Sequence, residues 1–285
     1  MDFSFSADQL ALRDTVRTLL AEQCQGEVVR AALPPPSGER PGQGIGVGAR
    51  AEPGAIDRLW SALVDMGVLG LGQPESEGGL GLTEVDWVLI AEEAGYAAAP
   101  VPLVEGIVAA SSALLDAGEV ARADRHRISA AVVDIEPGSG LAFDRMALGA
   151  AAELIGLNRR MLDLTVAYVS DRRQFGAPIG SFQAVKHHLA DARLQLEFAA
   201  PAVYAAAWSL ATGSADRERD VSVAKCLASD AARLTAKHAL QCHGAIGYTV
   251  EYDLHLYFKG AFALAARWGD AAWHRARVGR AIGVE

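Results

Sequence analysis

A mainly α-helical fold is predicted for this 285-residue chain. Three observations predict it. Apolar residues recur at three- and four-residue spacing through most of the length. Glycine- and proline-rich stretches interrupt that periodicity at a few places only. Strand-like runs are confined to one short region, residues 118 to 145.

The first helix is expected in "SADQLALRDTVRTLLAEQC", with Ser6 or Asp8 as its cap and apolar residues at 10, 12, 16, 19 and 20. Residues 32 to 54, "ALPPPSGERPGQGIGVGARAEPG", read as a long surface loop. A second helix is expected around 55 to 66. It ends before "GVLGLGQPESEGGLGL", a stretch too rich in glycine for a helix and therefore a shaped loop. "TEVDWVLIAEEAGYAAA" follows, with Thr83 as cap and Glu84 in the first turn, and "VEGIVAASSALLDAG" is a further helix. "ISAAVVDIEPGSGLAFDR" holds two short strand-like runs around Pro137-Gly138, enough for a hairpin. Helical periodicity resumes at Met146 and continues in segments near 181–212, 216–243, 250–264 and 268–282. Gly213 and Ser214 separate the two longest, which implies an antiparallel pair. The expected organisation is a helical part over 1–117, a short non-helical insert over 118–145 and a helical bundle over 146–285.

Composition limits the function. The chain is 51% hydrophobic with a net charge of −9, enough apolar material for a large core and the wrong sign for a general nucleic-acid binder. A local cationic pocket for a phosphorylated cofactor stays open. Cys24, Cys226 and Cys242 form no CxxC pair, which fits a reducing compartment. No secretory signal and no bilayer-spanning run is visible, so the expected location is the cytoplasm, away from membranes.

Three segments carry a family resemblance. "LWSALVDMGVLGLGQPESEGGLGLTEVDWVLIAEEAGYAAAPVP", "DRRQFGAPIGSFQAVKHHLAD" and "QCHGAIGYTVEYDLHLYFKGA" occur in an order and at separations that resemble the acyl-CoA dehydrogenase family. The resemblance covers nearly the whole chain with one large gap. It implies FAD as cofactor, an acyl-CoA thioester as substrate and an electron-transfer flavoprotein or similar acceptor. It also assigns contacts. Arg172, first of "RRQF", matches the arginine that binds the flavin pyrophosphate, usually of a neighbouring subunit; a guanidinium suits that role through two directed bonds. Gln174, Phe175, Phe182 and Gln183 match the following contact positions. Gln241 and Gly244 match the second signature, where a small residue lets backbone approach the dinucleotide. The bland reading of Arg172 is a cation complementing a helix carboxy terminus.

Bland readings suffice elsewhere. His187, His188 and Asp191 read as a polar helix surface rather than metal ligands. Tyr248, Tyr252, Tyr257 and Phe258 read as packing residues, and Glu92-Glu93 as a solvated helix edge.

The pattern breaks twice. The family's reaction removes a proton next to the thioester carbonyl, which requires a carboxylate base. The two positions at which the family places that glutamate fall here on Trp268 and near Met146. Asp144, Glu153, Glu251 and Asp270 lie close in sequence, and Asp270, two residues on from Trp268, is the candidate among them. The family also carries a middle β-domain of roughly a hundred residues, whereas here 118–145 supplies 28. The fold expectation is thus acyl-CoA dehydrogenase-like helical domains with the middle β-domain largely missing.

That combination resembles the short, base-less subunits of heteromeric actinobacterial enzymes of lipid or steroid catabolism. It implies a full-length acyl-CoA dehydrogenase partner that supplies the glutamate. A self-sufficient homo-oligomer with an atypical base and a flavin-free oligomerisation scaffold are the alternatives.

Overall fold

The computed structural model describes residues 4–32, 54–115, 119 and 125–284. The predicted long loop therefore lies almost wholly outside the described residues. Eleven helices are described: α1 (Ala7–Gln23), α2 (Gly26–Ala32), α3 (Ala55–Asp65), α4 (Glu84–Ala97), α5 (Leu103–Ser111), α6 (Arg125–Val133), α7 (Gly140–Asp171), α8 (Gln183–Ala211), α9 (Arg217–His243), α10 (Leu254–Ala266) and α11 (Ala271–Ala281). The only strands among the described residues are β1 (Arg173–Gln174) and β2 (Ala177–Pro178), paired antiparallel. No described helix is long and apolar enough to cross a membrane.

Local chemistry sets the helix starts. Ser6 opens α1 in a capping box: Gln9 N–H donates to Ser6 Oγ, and Ser6 N–H to Gln9 Oε1. Thr83 opens α4, with Asp86 Oδ2 accepting from both its backbone N–H and its hydroxyl. The glycine-rich run before α4 is built as two 3₁₀ turns, Val68–Gly70 and Glu75–Glu77.

The centre of the molecule is the α4–α7 contact. At that crossing Gly156 lies against the α4 backbone so closely that a Cβ there would stand 1.9 Å from Glu92 O. Beyond it, α8 and α9 run antiparallel and in close contact, and small residues are buried along both: Ala192, Ala199 and Ala206 in α8, and Ala224, Ala228 and Ala232 in α9. One continuous apolar cluster joins the amino-terminal helices to this bundle, with Trp87, Leu20, Leu59 and Met146 in it. Arg145 adds polar ties across the same boundary, donating to Glu84 Oε1 at 2.6 Å and to Ser111 O at 2.7 Å.

Two expectations are corrected. Residues 128–145 form no hairpin: they complete α6 and begin α7. Ile128 and Val132 are one helical turn apart and both buried, so the apolar pair serves the 3.6-residue period and not the two-residue one. Gly138 and Gly140, at φ +87° and +83°, turn the chain between the two helices. The second correction concerns Glu92 and Glu93, which are only 4% and 2% exposed. Each has a cation waiting. Arg17 grips Glu93 through Nε (2.9 Å) and Nη2 (2.7 Å), while Arg159 binds Glu92, and the Tyr204 hydroxyl donates to Glu92 at 2.7 Å. An amphipathic count on α4 alone cannot anticipate cations delivered by α1 and α7.

Candidate functional site

The α7–α8 hinge begins where α7 runs out of helix. Arg172 caps α7 in an extended conformation, its N–H donating to Tyr168 O and its carbonyl accepting from Ile179 N–H at 2.8 Å. Between them β1 and β2 make a tight hairpin whose central residues, Phe175 and Gly176, sit at φ +52° and +79°. Two left-handed residues in succession give the turn whose twist matches its strands. A phenylalanine in that region is strained, and it projects its ring into solvent at 93% exposure. Its one aromatic neighbour is Phe182, edge-on at 6.2 Å. A 3₁₀ turn, Ile179–Ser181, leads into α8 at Gln183.

The antiparallel α8–α9 pair brings the second predicted segment to the same end. His188 Nδ1 lies 2.8 Å from His238 Nδ1, which fixes the register and sets Gln183 near the carboxy end of α9. There His243 stacks on Tyr168 of α7 at 4.3 Å and meets Tyr252 at a tilt, 4.8 Å away. The His243 Nδ1–H donates to Ala239 O at 2.8 Å, leaving Nε2 as a buried acceptor without a partner; burial lowers the ring's pKa and keeps it neutral. Gly244 then takes φ 67°, ψ −145°, a conformation open to glycine alone, with free space around its Cα.

All seven predicted contact residues, Arg172, Gln174, Phe175, Phe182, Gln183, Gln241 and Gly244, thus lie exposed at one end of the bundle. Beside Arg172, a hollow of about 340 Å³ is lined by Tyr168, Asp171 and Tyr252. The guanidinium of Arg172 and the amides of Gln174, Gln183 and Gln241 make no side-chain hydrogen bond or ion pair among the described residues. A free guanidinium, three free amides and an exposed aromatic ring suit a ligand that is anionic in one part and flat in another. Those features fit the phosphates and ring of a dinucleotide. The hollow holds only a fraction of such a molecule.

The two positions at which the resemblance places a base carry no acid. Trp268, at φ +56°, packs edge-on to Phe143 at 6.2 Å, and Met146 is buried. Asp270 caps α11, accepting from Trp273 N–H at 2.8 Å, and that bond holds its carboxyl below the usual range. Asp144 is tied to Arg277 at 2.7 Å and Arg217 at 3.4 Å, and Glu251 is exposed. Glu153 differs. It faces a groove, and burial together with Glu105 pushes its pKa up to about 8. Its position near the expected base was visible in the sequence; the groove that gives it meaning was not.

The remaining bland readings divide. Tyr257 is buried under Arg160 and packs as expected, whereas Tyr248, edge-on to Phe258 at 6.2 Å, stays 66% exposed. His188 belongs to the His238 pair, and no group of three or more His, Cys, Asp or Glu able to hold a metal occurs among the described residues.

Comparison with known proteins places this geometry. The family description "Acyl-CoA dehydrogenase, C-terminal domain" matches residues 139–283, and "Acyl-CoA dehydrogenase, N-terminal domain" matches residues 48–125. Acyl-CoA dehydrogenase IpdE2 of Mycolicibacterium smegmatis is 32% identical over 320 aligned positions, covering 93% of this chain and 95% of that protein. Among solved structures, the ChsE4-ChsE5 complex from Mycobacterium tuberculosis aligns with a TM-score of 0.81 at 21% identity, over 99% of each chain. A variant of the Tcur3481-Tcur3483 steroid ACAD aligns with a TM-score of 0.78 at 21% identity, over 97% of this chain and 98% of that one. At that identity the structural likenesses establish the fold.

Proposed function

The chain belongs to the acyl-CoA dehydrogenase family, and from that premise we propose that it is the base-less subunit of a heteromeric, FAD-dependent member. In this reading it completes a flavin site whose remainder, with the catalytic glutamate, comes from a full-length partner subunit. One observation carries the proposal: the contact residues are present and unpaired, while both base positions hold residues that cannot take a proton. Trp268 and Met146 at those positions support a base supplied from outside this chain, and so does Asp270, which caps α11 with its carboxyl held below the usual range by the Trp273 N–H. Arg172 and the three glutamines argue against a flavin-free scaffold, which has no use for unpaired donors beside an exposed Phe175.

When bound, FAD would supply the acceptor for the hydride leaving the acyl chain. This chain's part is to hold it. Arg172 would bind its phosphates, Gln174, Gln183 and Gln241 would bind polar edges, and Gly244 would let backbone approach. Phe175 and Phe182 would cover apolar surface and exclude water. Among structural neighbours, ChsE4-ChsE5 and Tcur3481-Tcur3483 are each named as two components, and the second as a steroid ACAD; they support a heteromer and an acyl group derived from a steroid. Electrons would pass on to an electron-transfer flavoprotein or similar acceptor.

The test is reconstitution. The chain alone should give no acyl-CoA-dependent reduction of a dye acceptor, and co-expression with a genome-encoded full-length dehydrogenase should restore it. Normal turnover by the isolated chain would overturn the proposal.

A further inference from the structure

Behind the contact residues, the hinge end of the bundle holds a pair of histidines. His188 of α8 and His238 of α9 face each other with their Nδ1 atoms 2.8 Å apart and their ring centroids 4.7 Å apart. At that separation one Nδ1 carries the hydrogen and the other offers its lone pair. His238 is buried to 9% exposure and His188 is half-buried. Among the described residues, α8 and α9 share two side-chain hydrogen bonds. One is this pair. The other, from the Ser209 hydroxyl to Asp220 Oδ2 at 2.8 Å, lies at the opposite end of the two helices. The alanines between them add contact but no directional bond.

The tie sits close to the predicted contacts. Gln183 precedes His188 by five residues, about 7.5 Å along α8, and Gln241 follows His238 by three, about 4.5 Å along α9. Parting the helices at the pair therefore moves the two amides apart. The pair also has a charge limit. Neutral, or with one added proton, it keeps its N–H···N bond. With both rings protonated neither Nδ1 can accept, and two cations face each other. The charged groups acting on His238 are His188 and Asp191 of α8 and Lys237 of α9, with none from α7 among the described residues. Asp191 favours the cation, while Lys237 opposes it, and the neighbouring His187 is exposed. Burial first, and His188 second, lower the His238 pKa from 6.5.

We infer that His188 and His238 are positioning residues of the flavin site: their shared hydrogen bond holds Gln183 and Gln241 at the spacing the flavin needs, and protonation of both rings parts the helices and releases the flavin. This role rests on the flavin-site reading and adds to it a pair that itself touches no ligand.

The test follows FAD release from the co-expressed complex on dilution, read as recovered flavin fluorescence at pH 7, 6 and 5. Two imidazoles that titrate freely once parted, but accept only one proton while paired, weaken FAD binding about tenfold between pH 7 and pH 5. His188→Asn keeps an amide able to bond His238 Nδ1 and leaves one titrating ring. Its FAD dissociation constant should match the wild type's at pH 7 within about twofold and rise less than about threefold by pH 5. His188→Leu removes the bond and should weaken FAD binding about fivefold already at pH 7. His243 titrates in all three proteins, so the difference between the profiles belongs to the pair. Should His188→Asn fail to fold, His238→Asn makes the same change on the other ring. A wild-type constant that does not rise by pH 5, or an equal rise in wild type and the asparagine variant, would overturn the proposal. Flavin held at pH 7 alongside either result overturns the role of the pair alone. A wild-type complex without flavin at pH 7 overturns the flavin-site reading and this role with it.

Discussion

Replacing Gly156 by alanine tests the packing that joins the two halves of the molecule. The added Cβ would meet Glu92 O at 1.9 Å and Tyr96 N at 2.4 Å, where ordinary contact begins at 3.4 Å. Both obstacles are backbone atoms of α4, so no side-chain rotation relieves them. The helices must separate by roughly 1.5 Å, the difference between 3.4 and 1.9 Å, over a contact that also holds Trp87, Leu148 and the Glu92 and Glu93 ion pairs. Overpacking typically costs ~1–3 kcal/mol, and a clash with rigid backbone belongs at the upper end. With a denaturant slope of ~3 kcal/mol per molar urea, the unfolding midpoint should fall by about 1 M. Gly260→Ala is the control. Its Cβ meets only the Leu157 methyls, at 3.7 and 3.9 Å, and alanine is the better helix former, so it should raise stability by ~0.5–1 kcal/mol. A Gly156→Ala midpoint within ~0.2 M of wild type would refute the reasoning, since the helices would then tolerate separation.

Arg159→Leu removes the cation on Glu92 and should destabilise by about 3 kcal/mol in urea unfolding, because it strands a buried carboxylate. His274 donates from Nε2 to Trp268 O at 2.8 Å and accepts at Nδ1 from the Ser222 hydroxyl at 3.0 Å, and burial depresses its pKa from 6.5 to about 4. The folded state thus prefers the neutral ring. Its contribution is complete above pH 6.5 and is lost as pH falls towards 4, by ~2 kcal/mol at pH 5. Urea unfolding at pH 7 and 5 should show this slope in the wild type and lose it in His274→Gln. Asp270→Ala removes the α11 cap and should lower the melting temperature while leaving flavin content and turnover of the complex unchanged.

The sequence carried the helices because their signals are local. Ser6, Thr83 and the Gly213–Ser214 break act on neighbouring backbone, and each marks a real boundary. The hinge was legible for a related reason: Arg172, Gln174, Phe175, Phe182 and Gln183 lie within twelve consecutive residues. What escaped depends on partners distant in the chain. Glu92 and Glu93 look like surface charge until Arg159 and Arg17 arrive from other helices. Glu153 gains its character from Glu105, 48 positions earlier, and Arg267, 114 later. The missed α6 shows the limit of short windows: in "ISAAVV" two- and four-residue spacings coincide, and only the packing of Ile128 and Val132 decides between them.

The most direct test of a shared flavin site is an absorbance spectrum from 350 to 500 nm. It should be taken on the chain alone, on its complex with the full-length dehydrogenase, and on that complex carrying Arg172→Ala. The account predicts flavin bands only in the wild-type complex, with the two subunits still co-purifying when Arg172→Ala has removed the colour. Flavin bound by the lone chain, or retained in full by the Arg172→Ala complex, would contradict it.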